Sequence, residues 1–110
     1  MEPIAVEDVE TEALTGATRW AELLRADALS VGRYVVEAGG PDEQDPHTED
    51  EIYYVLSGRG DVRIGDERHP VEPGDVVYVD RGVDHAFVDV EERLDLLVVF
   101  APPEGSLADD

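Results

Sequence analysis

The chain has 110 residues, 28 of them acidic and eight basic, for a formal charge of −20, and every basic residue is Arg. A chain of this length suits one domain with a core of its own, and so negative a surface repels phosphate backbones and anionic lipid, which argues against nucleic-acid and membrane partners. No apolar run approaches the ~20 residues needed to span a bilayer, the first residues lack the basic-then-apolar pattern of a secretion signal, and the absence of Cys removes disulfides and thiol ligands.

A cytoplasmic protein is therefore expected. Acid content at this level can signal disorder, but Val, Leu, Ile and Tyr are interleaved at strand-like spacing and 42% of residues are hydrophobic, so the chain is expected to fold. Its charge points to a halophilic source, where salt screening shortens repulsion to a few ångströms.

Residues Met1 to Thr18 are acidic with apolar spots at Ile4, Val6, Val9 and Leu14, and read as an edge strand or a loose arm. In Arg19 to Arg25, Trp20, Leu23 and Leu24 have helical spacing, yet the segment is too short to stand alone as a helix, so periodicity leaves it open. Ser30 to Ala38 reads as a strand stopped by Gly39, Gly40 and Pro41. After the polar loop Asp42 to Pro46, the strand Glu51 to Ser57 has Tyr53 and Val55 on the face of Glu51, with Ile52, Tyr54 and Leu56 on the other. Both faces are apolar, which suits a strand inside a two-layer sandwich or at a dimer interface.

Short strands then follow at Asp61 to Ile64, Arg68 to Val71, Asp75 to Val79, His85 to Val90 and Leu94 to Phe100. They are separated by turn signals at Gly65-Asp66-Glu67, Pro73-Gly74, Arg81-Gly82 and Glu91-Glu92-Arg93. Ala101 to Asp110, with two Pro and terminal acids, is expected to fray. About seven to nine short strands with little helix predict an all-β, antiparallel sandwich or barrel.

The stretch Gln44 to Gly60 carries the candidate chemistry. In extended backbone His47 and Glu51 point to the same side, and imidazole with carboxylate is a usual ligand pair for a divalent transition metal, with His85 as a further partner. Glu51 lies in an otherwise apolar strand, where an unpaired buried carboxylate is costly, so it needs a cation: a metal, or Arg33 or Arg59. The competing readings are a surface His47 paired with Glu49 or Asp50, and a hydrogen-bonded core His85 beside Phe87. His69, before Pro70, reads as a surface residue. Tyr34, Tyr53 and Phe87 line one apolar cavity if the alternation holds, or simply pack the core. Gly58, Gly60, Gly65, Gly74 and Gly82 read as turn residues. The sequence has no phosphate-binding Gly loop, no nucleophile with a base and no zinc-finger spacing.

Two segments resemble the motifs of the cupin superfamily. Its first motif runs Gly, five residues, His-x-His, three or four residues, Glu, six residues, Gly; here Glu51 and Gly58 match and His47 stands where the second His belongs. The first His is missing, and its place falls on Gln44 or Asp45. The second motif runs Gly, five residues, Pro-x-Gly, two residues, His, three residues, Asn; Gly74, Gly82 and His85 match, while Asp80 replaces the Pro and Asp89 the Asn. More narrowly, the run Gln44 to Glu51 and the ending Val98-Val99-Phe100-Ala101-Pro102 look like small single-domain bacterial and archaeal cupins.

The resemblance spans residues 19 to 105 and implies an RmlC-like jelly roll, a single-domain antiparallel cupin β-barrel. It implies an arm at 1–18, the cupin domain at 19–103 and a tail at 104–110, a strand at Trp20 to Arg25, and a homodimer. It places His47, Glu51 and His85 around one metal inside the barrel, with Gln44 as a fourth ligand or Asp45 in its stead. Such a donor set accepts Fe, Mn, Ni or Zn. The implied function is a metal-dependent enzyme acting on a small organic molecule, either an oxygenase or an isomerase or lyase using the metal as Lewis acid. The alternatives are a non-catalytic module that binds or senses a small ligand or metal, and a degenerate cupin without metal, since one barrel hosts many activities.

Overall fold

In the computed structural model, which describes residues 1–42 and 46–106, seven strands follow one another. They are β1 (Glu12–Ala13), β2 (Thr18–Arg25), β3 (Ser30–Val36), β4 (Asp50–Ile64), β5 (Glu67–Val71), β6 (Val76–Val79) and β7 (His85–Ala101). The helical content among the described residues is one 3-10 turn, Val6–Asp8, so no helix is long and apolar enough to cross a membrane. All pairings are antiparallel, in the order β1-β2-β3-β7-β4-β5, with β6 also on β4.

β4 and β7, each expected as two short strands, are continuous strands of 15 and 17 residues. Their ladder runs from Asp50↔Ala101 to Ile64↔His85, with register shifts between Val55 and Asp61. The residues that read as breaks, Gly58 to Gly60 and Glu91 to Arg93, thus form bulges that bend a paired ribbon. The first part of β4 pairs with β6 and with the end of β7, which continues to β3; its last part pairs with β5 and the start of β7. Two layers result. Between them Tyr34, Val55, Leu96 and Val98 of one layer meet Val62, Val71 and Phe87 of the other. At the bend Gly58 has φ 97°, and a Cβ there would stand 2.1 Å from the Arg93 carbonyl oxygen, so the close approach requires glycine.

Thr18–Arg25 is a strand, as the resemblance implies. Its helical spacing is misleading because a register shift between Glu22 and Leu24 inserts Leu23 beside Leu24. Trp20 pairs with Tyr34 and its ring covers Gly32, where a Cβ would fall 2.0 Å from the ring. β3 ends at Val36, short of Ala38.

Neither terminus is loose throughout. Arg33 binds Asp95 through Nε and Nη2 at 2.9 and 2.6 Å and donates from Nη1 to the Val9 carbonyl at 2.9 Å, which ties the N-terminal arm down. The expected fraying from Ala101 onward is corrected as far as Ser106. Pro103 is buried, Glu104 donates its N–H to Ser30 Oγ at 2.9 Å, and Arg25 donates to the Glu104 carbonyl at 2.9 Å. The last four residues lie outside the described ones. Burial of both β4 faces is not met within one chain: Ile52, Tyr54 and Leu56 remain 39%, 41% and 37% exposed.

Candidate metal centre

Strand alternation sends Glu51, Tyr53 and Val55 of β4 inward, all at 2% exposure or less. His85, at the head of β7 in the opposite layer, is equally buried, and His47 reaches in from the loop before β4 with a quarter of its side chain exposed. One donor atom from each of His47, Glu51 and His85 lies within 4.8 Å of the others. Glu51 Oε1 is 3.0 Å from His85 Nε2 and 3.8 Å from His47 Nε2.

The two loops that deliver the imidazoles brace each other. Gly82 donates its N–H to the His47 carbonyl at 2.7 Å, and Arg81 donates its N–H to Asp50 Oδ1 at 3.0 Å. The His47 ring meets Phe100 edge-on at 4.9 Å.

The protonation pattern of His85 follows from its partners. Nδ1 lies 2.9 Å from the Val83 carbonyl oxygen, which can only accept, so Nδ1 carries a proton; when the ring is neutral, Nε2 aims its lone pair into the centre. The Tyr53 hydroxyl, 3.1 Å from Nε2, then donates to it. Glu51 Oε1, despite its 3.0 Å contact with the same nitrogen, has no hydrogen-bond partner. In that state a buried carboxylate oxygen faces an imidazole lone pair, which either a proton on Nε2, donated to Glu51, or a metal cation between them relieves. Burial lowers the His85 pKa, but the Glu51 carboxylate and the Val83 carbonyl outweigh it and the balance is upward. The surroundings thus favour positive charge where Nε2 points.

The other cations offered to Glu51 are engaged elsewhere: Arg33 with Asp95, and Arg59 with Glu72 and Glu92 at 3.5 Å each. Asp50 pairs with Arg81, and the buried Glu49 accepts from Thr48, so the surface pairing offered to His47 is not formed with Asp50. His69 is exposed, as expected. Gln44 and Asp45 lie outside the described residues.

Around the centre the wall is aromatic. Tyr53 meets Phe87 edge-on at 4.9 Å, and Trp20 packs against Tyr34 and Phe100 at 6.3 and 6.1 Å. No Arg is among the buried residues. Two carboxyl groups here were not singled out from sequence. Buried Asp42 accepts the Tyr34 hydroxyl on one oxygen and the Phe87 N–H at 2.8 Å on the other; burial, then the Asp42 charge and hydrogen bond, pushes the Tyr34 pKa up. Glu104 of the docked tail is raised by burial and, against His47, by the charges of Glu22, Glu49 and Glu51. Nothing local distinguishes either from the other acids among 28. Two imidazoles and one carboxylate among aromatic side chains suit a divalent transition metal.

A family model described as "Cupin domain" matches residues 32–100. An uncharacterized protein of Streptomyces coelicolor is 41% identical over 105 residues, 96% of this chain and 100% of that one. Among solved structures, the polyketide cyclase RemF from Streptomyces resistomycificus superposes with a TM-score of 0.78 at 23% identity, over 94% of this chain and 81% of that one. A predicted oxalate decarboxylase from Thermotoga maritima does so with 0.77 at 22% identity, over 91% and 98%. At these identities the structures show a shared fold.

Proposed function

The chain belongs to the cupin family, and on that premise we propose that it is a metal-dependent enzyme acting on a small organic molecule inside the barrel. The metal is a divalent Fe, Mn, Ni or Zn ion held by His47, Glu51 and His85, with Gln44 or Asp45 as the candidate fourth ligand. The observation that carries this reading is the convergence of one donor atom each from His47, Glu51 and His85 within 4.8 Å, with the buried Glu51 Oε1 3.0 Å from the ring nitrogen of His85 that Val83 leaves free to ligate. A bound metal supplies either Lewis-acid polarisation or oxygen activation.

The chain's own residues do the rest. Val83 holds the proton on His85 Nδ1, and the buried Phe87, Phe100 and Tyr53 surround the inner donors with low-dielectric side chains, which strengthens the electrostatics there. The Tyr53 hydroxyl is a proton donor beside the centre. The two-His, one-carboxylate set fits the oxygenase branch, and the names of the cyclase and the predicted decarboxylase fit the isomerase or lyase branch. The missing first motif His favours a second reading, a degenerate cupin that holds no metal. The acidic surface fits a salt-rich cytoplasm.

Elemental analysis of protein purified without chelator or affinity-tag metal tests the proposal. About one equivalent of a transition metal is expected in the parent and in His69→Ala, and almost none in His47→Ala or His85→Ala. A parent that stays metal-free after reconstitution with Fe(II), Mn, Ni and Zn would overturn it. Product formation or oxygen consumption with candidate substrates then separates enzyme from binding module.

A further inference from the structure

We propose that Glu104, on the docked C-terminal tail, selects the substrate by binding an organic cation, the protonated amine of a small molecule whose other end reaches the metal centre; this rests on the centre being a substrate site. The register carries the geometry. Ser30 of β3 stands opposite Phe100 of β7, and Phe100 opposite Glu51 of β4, so the three form one row across adjacent strands. Each is 2% exposed, so the row lies on the inward face. Two strand spacings put Ser30 and Glu51 about 10 Å apart, a distance a small molecule spans. Glu104 hangs from the far end of that row, its N–H on Ser30 Oγ at 2.9 Å. Between the two ends the Phe100 ring carries His47 at 4.9 Å and Trp20 at 6.1 Å. The half-buried Trp20 lies over Gly32, two residues along β3 from Ser30, and Glu22 follows it on the same face of β2.

The charges around Glu104 are nearly all of one sign. Its side chain is half-buried, and among the described residues its carboxylate has no hydrogen bond or ion pair. Glu22, Glu49 and Glu51 act on it with like charge, and Glu49 and Glu51 are themselves buried. Arg25 is engaged with Glu22 at 3.4 Å and with the Glu104 carbonyl at 2.9 Å. A divalent ion on Glu51 neutralises only part of this charge. An unpaired carboxylate beside other carboxylates is unfavourable until a cation arrives, and the Trp20 ring adds the attraction of its π face. An anionic substrate meets the opposite: the chain has no Lys, and His85 is the one basic side chain among the described buried residues.

Trp20 is the chain's one Trp, so its fluorescence reports on this place directly. The probes are phenethylamine, 2-phenylethanol and phenylacetate, alike in skeleton and different in charge. They are titrated into metal-loaded and chelator-treated protein at about 0.5 M salt, which screens the general attraction of an acidic surface for cations. Phenethylamine is expected to bind about tenfold more tightly than 2-phenylethanol in both forms, and phenylacetate more weakly than either in the chelated form. In Glu104→Gln that preference should fall to within about twofold, with the parent's circular dichroism retained. Glu67→Gln removes the same charge from a side chain that is 79% exposed, and should keep the preference. A protein that takes up no metal yet shows the Glu104-dependent preference would sink the metal assignment and support this one. A metal-loaded parent that binds no phenethylamine up to about 10 mM, or that binds 2-phenylethanol as tightly, would overturn it, as would a folded Glu104→Gln that still prefers the amine.

Discussion

Successive residues of β4 live in two different environments. Glu51, Tyr53 and Val55 are all but sealed from solvent, while their apolar neighbours Ile52, Tyr54 and Leu56 keep more than a third of their surface open. The inward set is completed by the chain itself: Tyr53 has Phe87 and His85, and Val55 has the opposite layer. The outward set has no such cover. One strand therefore has one face that the fold of a single chain completes and one that it leaves open.

The sharpest test of that contrast replaces two adjacent tyrosines. Tyr53→Ala should lower unfolding free energy by about 3–5 kcal/mol, as large aromatic truncations in a core do. Tyr54→Ala, measured by urea unfolding at concentrations too dilute to associate, should stay within about 0.5 kcal/mol of the parent. Equal losses would break the comparison. At the bend where β4 leaves one layer for the other, Gly58→Ala meets both a left-handed backbone and the Arg93 carbonyl, and should cost at least about 1–3 kcal/mol in the same assay.

A smaller effect reports on the inner wall through pH. The Tyr34 pKa is raised above its ordinary 10.0 by burial first and Asp42 second. Below pH 10 both folded and unfolded chains keep the proton, so the group adds no pH dependence; above it the unfolded chain releases the proton first. Stability should then fall by about 1.4 kcal/mol per pH unit, and Tyr34→Phe should remove that slope. The outer surface should give the smallest response. Raising salt over the molar range is expected to lift the melting temperature by a few degrees as carboxylate repulsion is screened, and a flat or falling trend would remove the halophilic reading.

Alternation made most strands legible in the sequence, and the same alternation put Glu51 inside with His47 four residues away. The continuity of β4 and β7 was hidden because a bulge and a turn draw on the same residues: Gly58, Gly60 and the charged run Glu91 to Arg93 look alike in either role. Leu23 beside Leu24 imitated a helix for the same reason. Asp42 could not be told from other acids because its partners, Tyr34 and Phe87, are supplied by distant strands. The docking of Glu104 is likewise made by Ser30 and Arg25, more than seventy residues earlier. Contacts of that separation leave no local trace.

The bent β4–β7 ribbon also has a kinetic meaning. Its ladder is shortest in sequence at Ile64↔His85 and longest at Asp50↔Ala101, so loop-closure entropy favours a ladder that starts near His85 and reaches the stretch of Glu51 last. The donors of the candidate centre thus occupy opposite ends of a zipper and meet only when it has closed and folded over. An ion held there acts as a latch on the finished barrel rather than a template for its formation. Its addition should leave the refolding rate unchanged and slow the rate of opening.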